Sequence, residues 1–152
     1  MQDNTKYPRS LIAIGYWQSS NYPDLPHPKD FLNDLIDANE RKLLINYLDK
    51  GQTVARYLGY SFCRFKCGTP DHEMGSSDLT DGMYIWPEKL SHYIKEHNVW
   101  LPEPFILYSK SNLHYNPLEI DLKKTLDPFN QGFPKKYNIH DKEWWKTCKS
   151  LA

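Results

Sequence analysis

The sequence lacks long apolar runs, and it lacks an excess of either charge. No apolar run approaches the roughly 20 residues that a membrane-spanning helix needs. Nineteen lysine and arginine residues balance nineteen aspartate and glutamate residues, whereas proteins that neutralise many phosphates usually carry a basic excess. Phosphate-binding motifs such as GxGxxG and GKS or GKT are also absent. We therefore expect neither a membrane protein nor a general nucleic-acid-binding protein, and nothing favours nucleotide binding.

Cysteine is scarce, with three residues in the chain: Cys63, Cys67 and Cys148. An odd number argues against a secreted disulfide scaffold, because disulfides consume cysteines in pairs and form in oxidising compartments. The first residues, MQDNTKYPRS, are polar and do not resemble a signal peptide. Together these features predict a cytoplasmic protein.

Aromatic residues and prolines are abundant instead. Aromatic residues make up 14% of the 152 residues, and there are eleven prolines. A chain of this length matches one ordinary domain, and its mixture of helix-like and strand-like stretches predicts the α+β class. We expect one domain over 1–152, with a compact core in 11–108, long proline-rich connections, and a C-terminal tail, 109–152, that wraps around the core.

Two main helices are expected to cover a small sheet, and the first spans 38–50. Asp37 is suited to its N-cap, and Glu40 three residues later completes a capping box. Apolar residues recur along this stretch at helical spacing, chiefly Leu44, Tyr47 and Leu48. Gly51 follows where a left-handed C-cap residue is wanted.

The second helix is expected over 87–98, with Pro87 in its first position and Asn98 closing its end. β-Branched and aromatic residues predict three strands, within 11–17, 52–60 and 82–86. The second and third of these strands are suited to pairing with each other. The stretch FILY, 105–108, resembles an edge strand. A short helix after Asp141 would place four apolar residues on one face, namely Trp144, Trp145, Cys148 and Leu151.

The segment 59–88 combines turn-forming residues with large apolar ones. Its Gly, Ser, Asp and Pro residues favour turns. Its apolar side chains are too numerous to leave in water; they are Phe62, Phe65, Met74, Met83, Tyr84, Ile85 and Trp86. We therefore expect an ordered, partly buried loop, and loops held by a rigid scaffold are where function concentrates.

Cys63, Cys67 and His72 follow the pattern C-x3-C-x4-H. Thiolate and imidazole are ligands that zinc prefers, and one loop can bring three of them together. A fourth ligand could come from His92, His97 or Glu73. The alternatives are two reduced cysteines packed as small apolar groups, or a redox-sensitive pair.

A cysteine nucleophile with a histidine base is another possibility in the same segment. His72 or His92 would serve as the base, and Arg64 would lower the thiol pKa. Among the carboxylates, Glu73 has no evident local structural role and could act in acid/base chemistry. The candidate catalytic residues are Cys63, Cys67, His72 and Glu73.

Several short motifs resemble those of a family of small uncharacterised bacterial proteins. These are CRFxCG at 63–68, MGSSxLTDG at 74–82, WPExLxHY at 86–93 and the later LP at 101–102, together with LPHP at 25–28 and ER in the first helix. The resemblance covers about residues 17–108 and implies one compact bacterial domain. No established activity accompanies the family, so the resemblance assigns no catalytic role.

We expect a cytoplasmic binding module that presents the 59–82 loop to a protein partner, as a bacterial immunity or regulatory protein would. Expected binding residues are Arg64, Asp78, Asp81, Trp86 and His92, although Asp78 and Asp81 also suit turns. The alternative is a metal- or cysteine-dependent enzyme centred on residues 63–73. The module needs no cofactor, whereas the alternative would use zinc.

Overall fold

A mixed four-stranded sheet organises the fold in the computed structural model, which describes residues 9–122 and 125–126. The sheet contains β2 (Ile12–Ala13), β3 (Gln52–Arg56), β4 (Ser77–Thr80) and β5 (Tyr84–Pro87), in the order β2-β5-β4-β3. β2 runs parallel to β5, and the other neighbours are antiparallel. β1 (Arg9–Ser10) and β6 (Thr125–Leu126) form a separate parallel pair. Three helices accompany the sheet in the described residues, which form a single α+β domain, as predicted.

The sheet differs from expectation because β4 lies between β3 and β5, so the predicted direct pairing of 52–60 with 82–86 is wrong. The sequence of β4, SDLT, resembles a turn, but tertiary hydrogen bonds satisfy its polar side chain. The Asp78 carboxylate accepts hydrogen bonds from the hydroxyls of Tyr16, at 2.7 Å, and Tyr57, at 2.6 Å. These contacts come from distant parts of the chain and outweigh the local turn preference.

The first helix, α1 (Ala38–Asp49), begins at the predicted N-cap, but the Glu40 carboxylate pairs with Lys110 and does not complete a capping box. The Asp37 side chain accepts hydrogen bonds from the backbone N–H groups of Asn39 and Glu40. The expected left-handed role of Gly51 is wrong, because Lys50, with a φ of −89°, is the C-cap and Gly51 does not have a positive φ. Gly51 instead permits close packing: a Cβ atom there would lie 2.9 Å from the Trp86 ring.

The second helix, α2 (Leu90–His97), begins three residues later than the predicted 87–98. Pro87 still belongs to β5, and Lys89 adopts a left-handed conformation, with φ 68°, that separates strand from helix. Asn98 is the left-handed C-cap, with φ 55°, so its predicted closing role is confirmed. The helix buries Leu90, Tyr93 and Ile94.

The third helix, α3 (Glu103–Ser111), contradicts the edge strand predicted at 105–108. Pro104 lies in the first turn, where its missing N–H has no intrahelical partner to lose. Phe105, Ile106 and Ser109 are buried on one side, so packing decides a stretch that is ambiguous by composition. The helix predicted after Asp141 lies outside the described residues.

Aromatic rings fill the core, as the composition indicates. Trp86 is fully buried, and its ring lies 6.2 Å from Tyr47 and 6.0 Å from Phe105. The indole N–H of Trp86 donates to the carbonyl of Leu48 at 3.1 Å. In the part of the chain that is described, no helix combines the length and apolarity needed to span a membrane.

Candidate metal centre

The connection between β3 and β4 contains both described cysteines, and it forms a tight turn between them. The Lys66 N–H donates to the Cys63 carbonyl at 3.0 Å, and Lys66 has a left-handed φ of 51°. Gly68 also has a positive φ, 91°. This turn, residues 63–67, is the cysteine turn: it reverses the chain within five residues and brings Cys67 back towards Cys63.

Arg64 ties this turn to the rest of the domain. Its guanidinium donates to the carbonyls of Gln18, Phe62 and Trp17 at 3.0, 2.8 and 3.3 Å. Its backbone N–H donates to the Tyr93 hydroxyl at 3.1 Å. Arg64, predicted as a binding or thiol-activating residue, is therefore engaged in joining segments of the chain. Whether it also binds a partner stays a prediction.

Two histidines of α2 face the two cysteines. The ligand atoms of Cys63, Cys67, His92 and His97 all lie within 4.8 Å of one another. Cys63 Sγ is 3.3 Å from His97 Nε2, and Cys67 Sγ is 3.6 Å from His92 Nε2. Helix α2 is therefore the second source of ligands, and it is held beside the cysteine turn through Tyr93.

The geometry suits tetrahedral zinc. With bonds of about 2.3 Å to sulfur and about 2.0 Å to nitrogen, tetrahedral ligand atoms lie roughly 3.3–3.8 Å apart. The two sulfur–nitrogen distances, 3.3 and 3.6 Å, fall in this range. The largest separation within the group is at most 4.8 Å, so it would contract by no more than about an ångström on binding. Two thiolates and two imidazoles form a common structural zinc set.

The two thiols differ in environment. Cys63 is buried, with 4% of its surface exposed, whereas Cys67 is exposed. Burial raises the pKa of the Cys63 thiol. Hydrogen bonds from Thr69, followed by those from His97 and His92, lower the pKa of Cys67 to about 6. Cys67 is thus the more readily ionised thiol, and a bound cation would favour the thiolate form of both.

Neighbouring side chains hold the ligands in place. The His97 ring stacks on Phe65, with centroids 4.5 Å apart and planes inclined by 28°. Thr69 Oγ1 lies 3.2 Å from Cys67 Sγ. The rings of His92 and His97 are 5.1 Å apart. Such contacts fix ring orientation and support the ligands from outside.

The same contacts bear on the cysteine-nucleophile alternative. Cys67 does lie beside His92, one of the two predicted bases. A catalytic histidine is normally oriented by a third group, often a carboxylate. Within residues 11–122, neither His92 nor His97 hydrogen-bonds to a carboxylate. In that range the Cys67–His92 pair therefore has no orienting carboxylate beside it, and a second thiol and a second imidazole lie next to it instead.

His72, the third ligand that the sequence predicts, lies outside this group. It belongs to a short 3-10 helix, Asp71–Met74, and its side chain is exposed. Glu73 is exposed on the same turn, and both line an open polar cleft that also borders His92. The site therefore contains Cys63 and Cys67 but not His72. Its other two members, His92 and His97, are among the residues that the sequence offers as a fourth ligand.

Three further predicted binding residues are buried. Asp78 accepts the two tyrosine hydroxyls described above. Asp81 accepts hydrogen bonds from the backbone N–H groups of Met83 and Tyr84 and from the Tyr47 hydroxyl. Its burial raises the pKa of the carboxyl. Trp86 lies in the core, so these three side chains have structural contacts, and their role in binding stays a prediction.

One pattern in the sequence is consistent with the full group. His92 and His97 form H-x4-H, and Cys63 and Cys67 form C-x3-C. Both spacings fall within the ranges typical of two-cysteine, two-histidine zinc sites. Pairing the cysteines with the nearest histidine, His72, hides this pattern.

A scan of protein-family models and searches of curated proteins and solved structures found no match to this chain.

Proposed function

We propose that the protein is a zinc-binding domain, in which Cys63, Cys67, His92 and His97 hold one Zn²⁺. The observation that carries this proposal is the convergence of the four ligand atoms within 4.8 Å. They come from two elements separated by β4 and β5 in the chain. Sulfur and imidazole ligands select zinc over magnesium or calcium, which prefer oxygen.

The ion has a structural role in this proposal. Four protein ligands complete a tetrahedral shell, whereas catalytic zinc sites keep a position open for water or substrate. The segment from Tyr57 to Met74, which includes the two cysteines, contains one short 3-10 helix and no strand or α-helix. Zinc would join this turn to α2 at two points and so restrict its motion.

Metal analysis of the purified protein tests the proposal. After expression with zinc and purification under reducing conditions, we expect about one zinc per chain, as structural sites bind tightly. Cys63→Ser and His97→Ala should each lose most of the metal. His72→Ala is the matched control, because it removes an imidazole from the same loop without touching the group. Metal-free wild-type protein that does not take up added zinc would refute the proposal.

A second candidate function is a protein-interaction module in a reducing compartment such as the bacterial cytoplasm. A specific observation favours it: large apolar side chains are exposed just before the cysteine turn. Leu58 is fully exposed, and Tyr60 and Phe62 are 59% and 41% exposed. Aromatic side chains are enriched where protein partners bind. In this function zinc would hold the 59–82 loop in a shape that a partner recognises.

The interaction is tested by comparing captured proteins. Wild-type protein and a Leu58→Ser/Tyr60→Ser variant would be cross-linked in cells under identical conditions, and Leu118→Ser, at another exposed leucine, serves as control. We expect a protein that wild type and control capture and the double variant does not, and that binds the purified wild type directly. Equal capture by all three would exclude this surface as the interface.

A further inference from the structure

The two thiolates of the proposed zinc site are unequally accessible. Cys67 is exposed, whereas Cys63 is buried at 4% exposure. Structural zinc sites that must resist oxidation gain from keeping their sulfurs away from solvent, since susceptibility follows thiolate character and exposure. An exposed thiolate next to a buried one instead provides a reactive thiol with a second thiol ready to resolve its oxidation product.

We propose that Cys67 is a site of oxidation by peroxides, and that its oxidation leads to a Cys63–Cys67 disulfide with release of the zinc ion. This inference rests on the proposed zinc site. Both sulfurs belong to a group whose ligand atoms lie within 4.8 Å of one another, so the resolving thiol is already close. Without zinc, the turn loses the two links to α2 that the ion would supply, while the hydrogen bond to Tyr93 remains.

The reaction balances with hydrogen peroxide as the two-electron oxidant. Cys67 Sγ attacks one peroxide oxygen, the O–O bond breaks, and the departing hydroxide takes a proton to become water. Cys67 is now a sulfenic acid, a weaker zinc ligand than a thiolate. The Cys63 thiolate then attacks Cys67 Sγ, the S–O bond breaks, and the departing hydroxide takes a proton from solvent and leaves as the second water. The two cysteines are oxidised, the peroxide is reduced to two waters, and Zn²⁺ leaves without a change of charge.

The two cysteines lie on one short turn of backbone. The turn is closed by the hydrogen bond from the Lys66 N–H to the Cys63 carbonyl, which keeps the two cysteines on one short reversal. Beyond it, Gly68 has a φ of 91° and open space on the side where a Cβ would project. Gly68 itself therefore adds no side-chain packing that would oppose a small shift of the backbone next to Cys67.

The experiment uses zinc-loaded full-length protein carrying Cys148→Ser, so that an intramolecular disulfide can join Cys63 and Cys67 alone. After treatment with a modest excess of hydrogen peroxide, a metallochromic chelator measures released zinc, and intact-mass spectrometry measures the protein. We expect about one zinc released per chain, with a loss of two hydrogen masses. A dithiol reductant with added zinc should restore the starting mass and metal content.

Location is tested with Cys67→His, which substitutes another ligand that zinc accepts. We expect this variant to release its zinc at least about tenfold more slowly under the same peroxide, because exposed thiolates react fastest. Zinc retained by the parent protein would overturn the inference and leave the zinc site intact. Zinc loss accompanied by added oxygen, without the disulfide, would also overturn it. Protein that never contains zinc would instead refute the site itself.

Discussion

The sheet core and the cysteine turn are held together in different ways. In the core, Trp86, Ile85 and Phe105 are fully buried, and stability comes from apolar area removed from water. Around the turn, Cys63 is buried and Phe65 packs against the core, but Tyr60 and Phe62 remain exposed, and Arg64 adds directional contacts to three carbonyls. Burial is distributed over many neighbours, whereas directional contacts fail one at a time. The turn should therefore depend on individual residues, and on a bound ion, far more than the core does.

Zinc removal is expected to have the largest effect, and to act on one region alone. Structural zinc sites contribute apparent binding free energies of about 10–16 kcal/mol, so losing even half of that would speed amide exchange about 10⁴-fold in residues 59–76. Exchange in β4 and β5 should change little. Hydrogen exchange with and without a chelator measures both regions. Equal protection of the turn in both samples would contradict a structural role for the ion.

Truncating the central core side chain is expected to weaken the whole domain. Trp86→Ala removes a fully buried ring and the hydrogen bond to Leu48. Changes of this kind typically cost about 3–5 kcal/mol in unfolding free energy. Denaturant unfolding measures the loss. Leu118→Ala, at a leucine that is 84% exposed, should stay within about 0.5 kcal/mol of wild type, and a similar cost for both variants would be incompatible with this core.

Arg64→Lys is expected to have a smaller effect, centred on the turn. A lysine cannot reproduce the forked contacts to the carbonyls of Trp17, Gln18 and Phe62. Hydrogen bonds from charged donors are worth about 1.5–3 kcal/mol each, and partial replacement should leave a net loss of about 1–2 kcal/mol. The exposed Lys95→Arg is the control. The rate of amide hydrogen exchange should rise in the turn. An equal rise across the sheet would contradict the claim that Arg64 mainly holds the turn.

Asp81 gives the smallest effect, visible in its pH dependence. Burial raises the pKa of its carboxyl in the folded protein, above about 3.9 in the unfolded chain. A raised folded pKa stabilises the protein below the unfolded pKa, and this contribution is lost as pH rises through the folded pKa. Asp81→Asn has no such titration. Its melting temperature relative to wild type should therefore rise from pH 4 to pH 8, and a constant difference would contradict the shift.

Local chemistry explains what could be predicted from the sequence. Asp37 caps α1 and Asn98 ends α2 because their side chains and conformational preferences act within one turn of chain. β4 and α3 could not be predicted in this way. The strand depends on hydroxyls from Tyr16 and Tyr57, and the helix depends on burial of Phe105. Both are decided by tertiary contacts that override local propensity.

The candidate site shows the same division. The cysteines are visible as a pair within one loop, but the two histidines of the group come from α2, beyond two intervening strands. Sequence proximity favours His72, whereas folding brings His92 and His97 to the sulfurs. Distance along the chain does not determine which side chains share a coordination sphere, so spacing within each pair is the more useful guide.

The central claim is that two sulfurs and two imidazole nitrogens surround one zinc ion. X-ray absorption at the zinc edge, on protein purified under reducing conditions, tests it most directly. The account predicts two sulfur ligands at about 2.3 Å and two nitrogen ligands at about 2.0 Å, and the same spectrum from His72→Ala. A spectrum that shows oxygen and nitrogen ligands alone would contradict this claim. So would a different number of sulfur ligands in the His72→Ala variant.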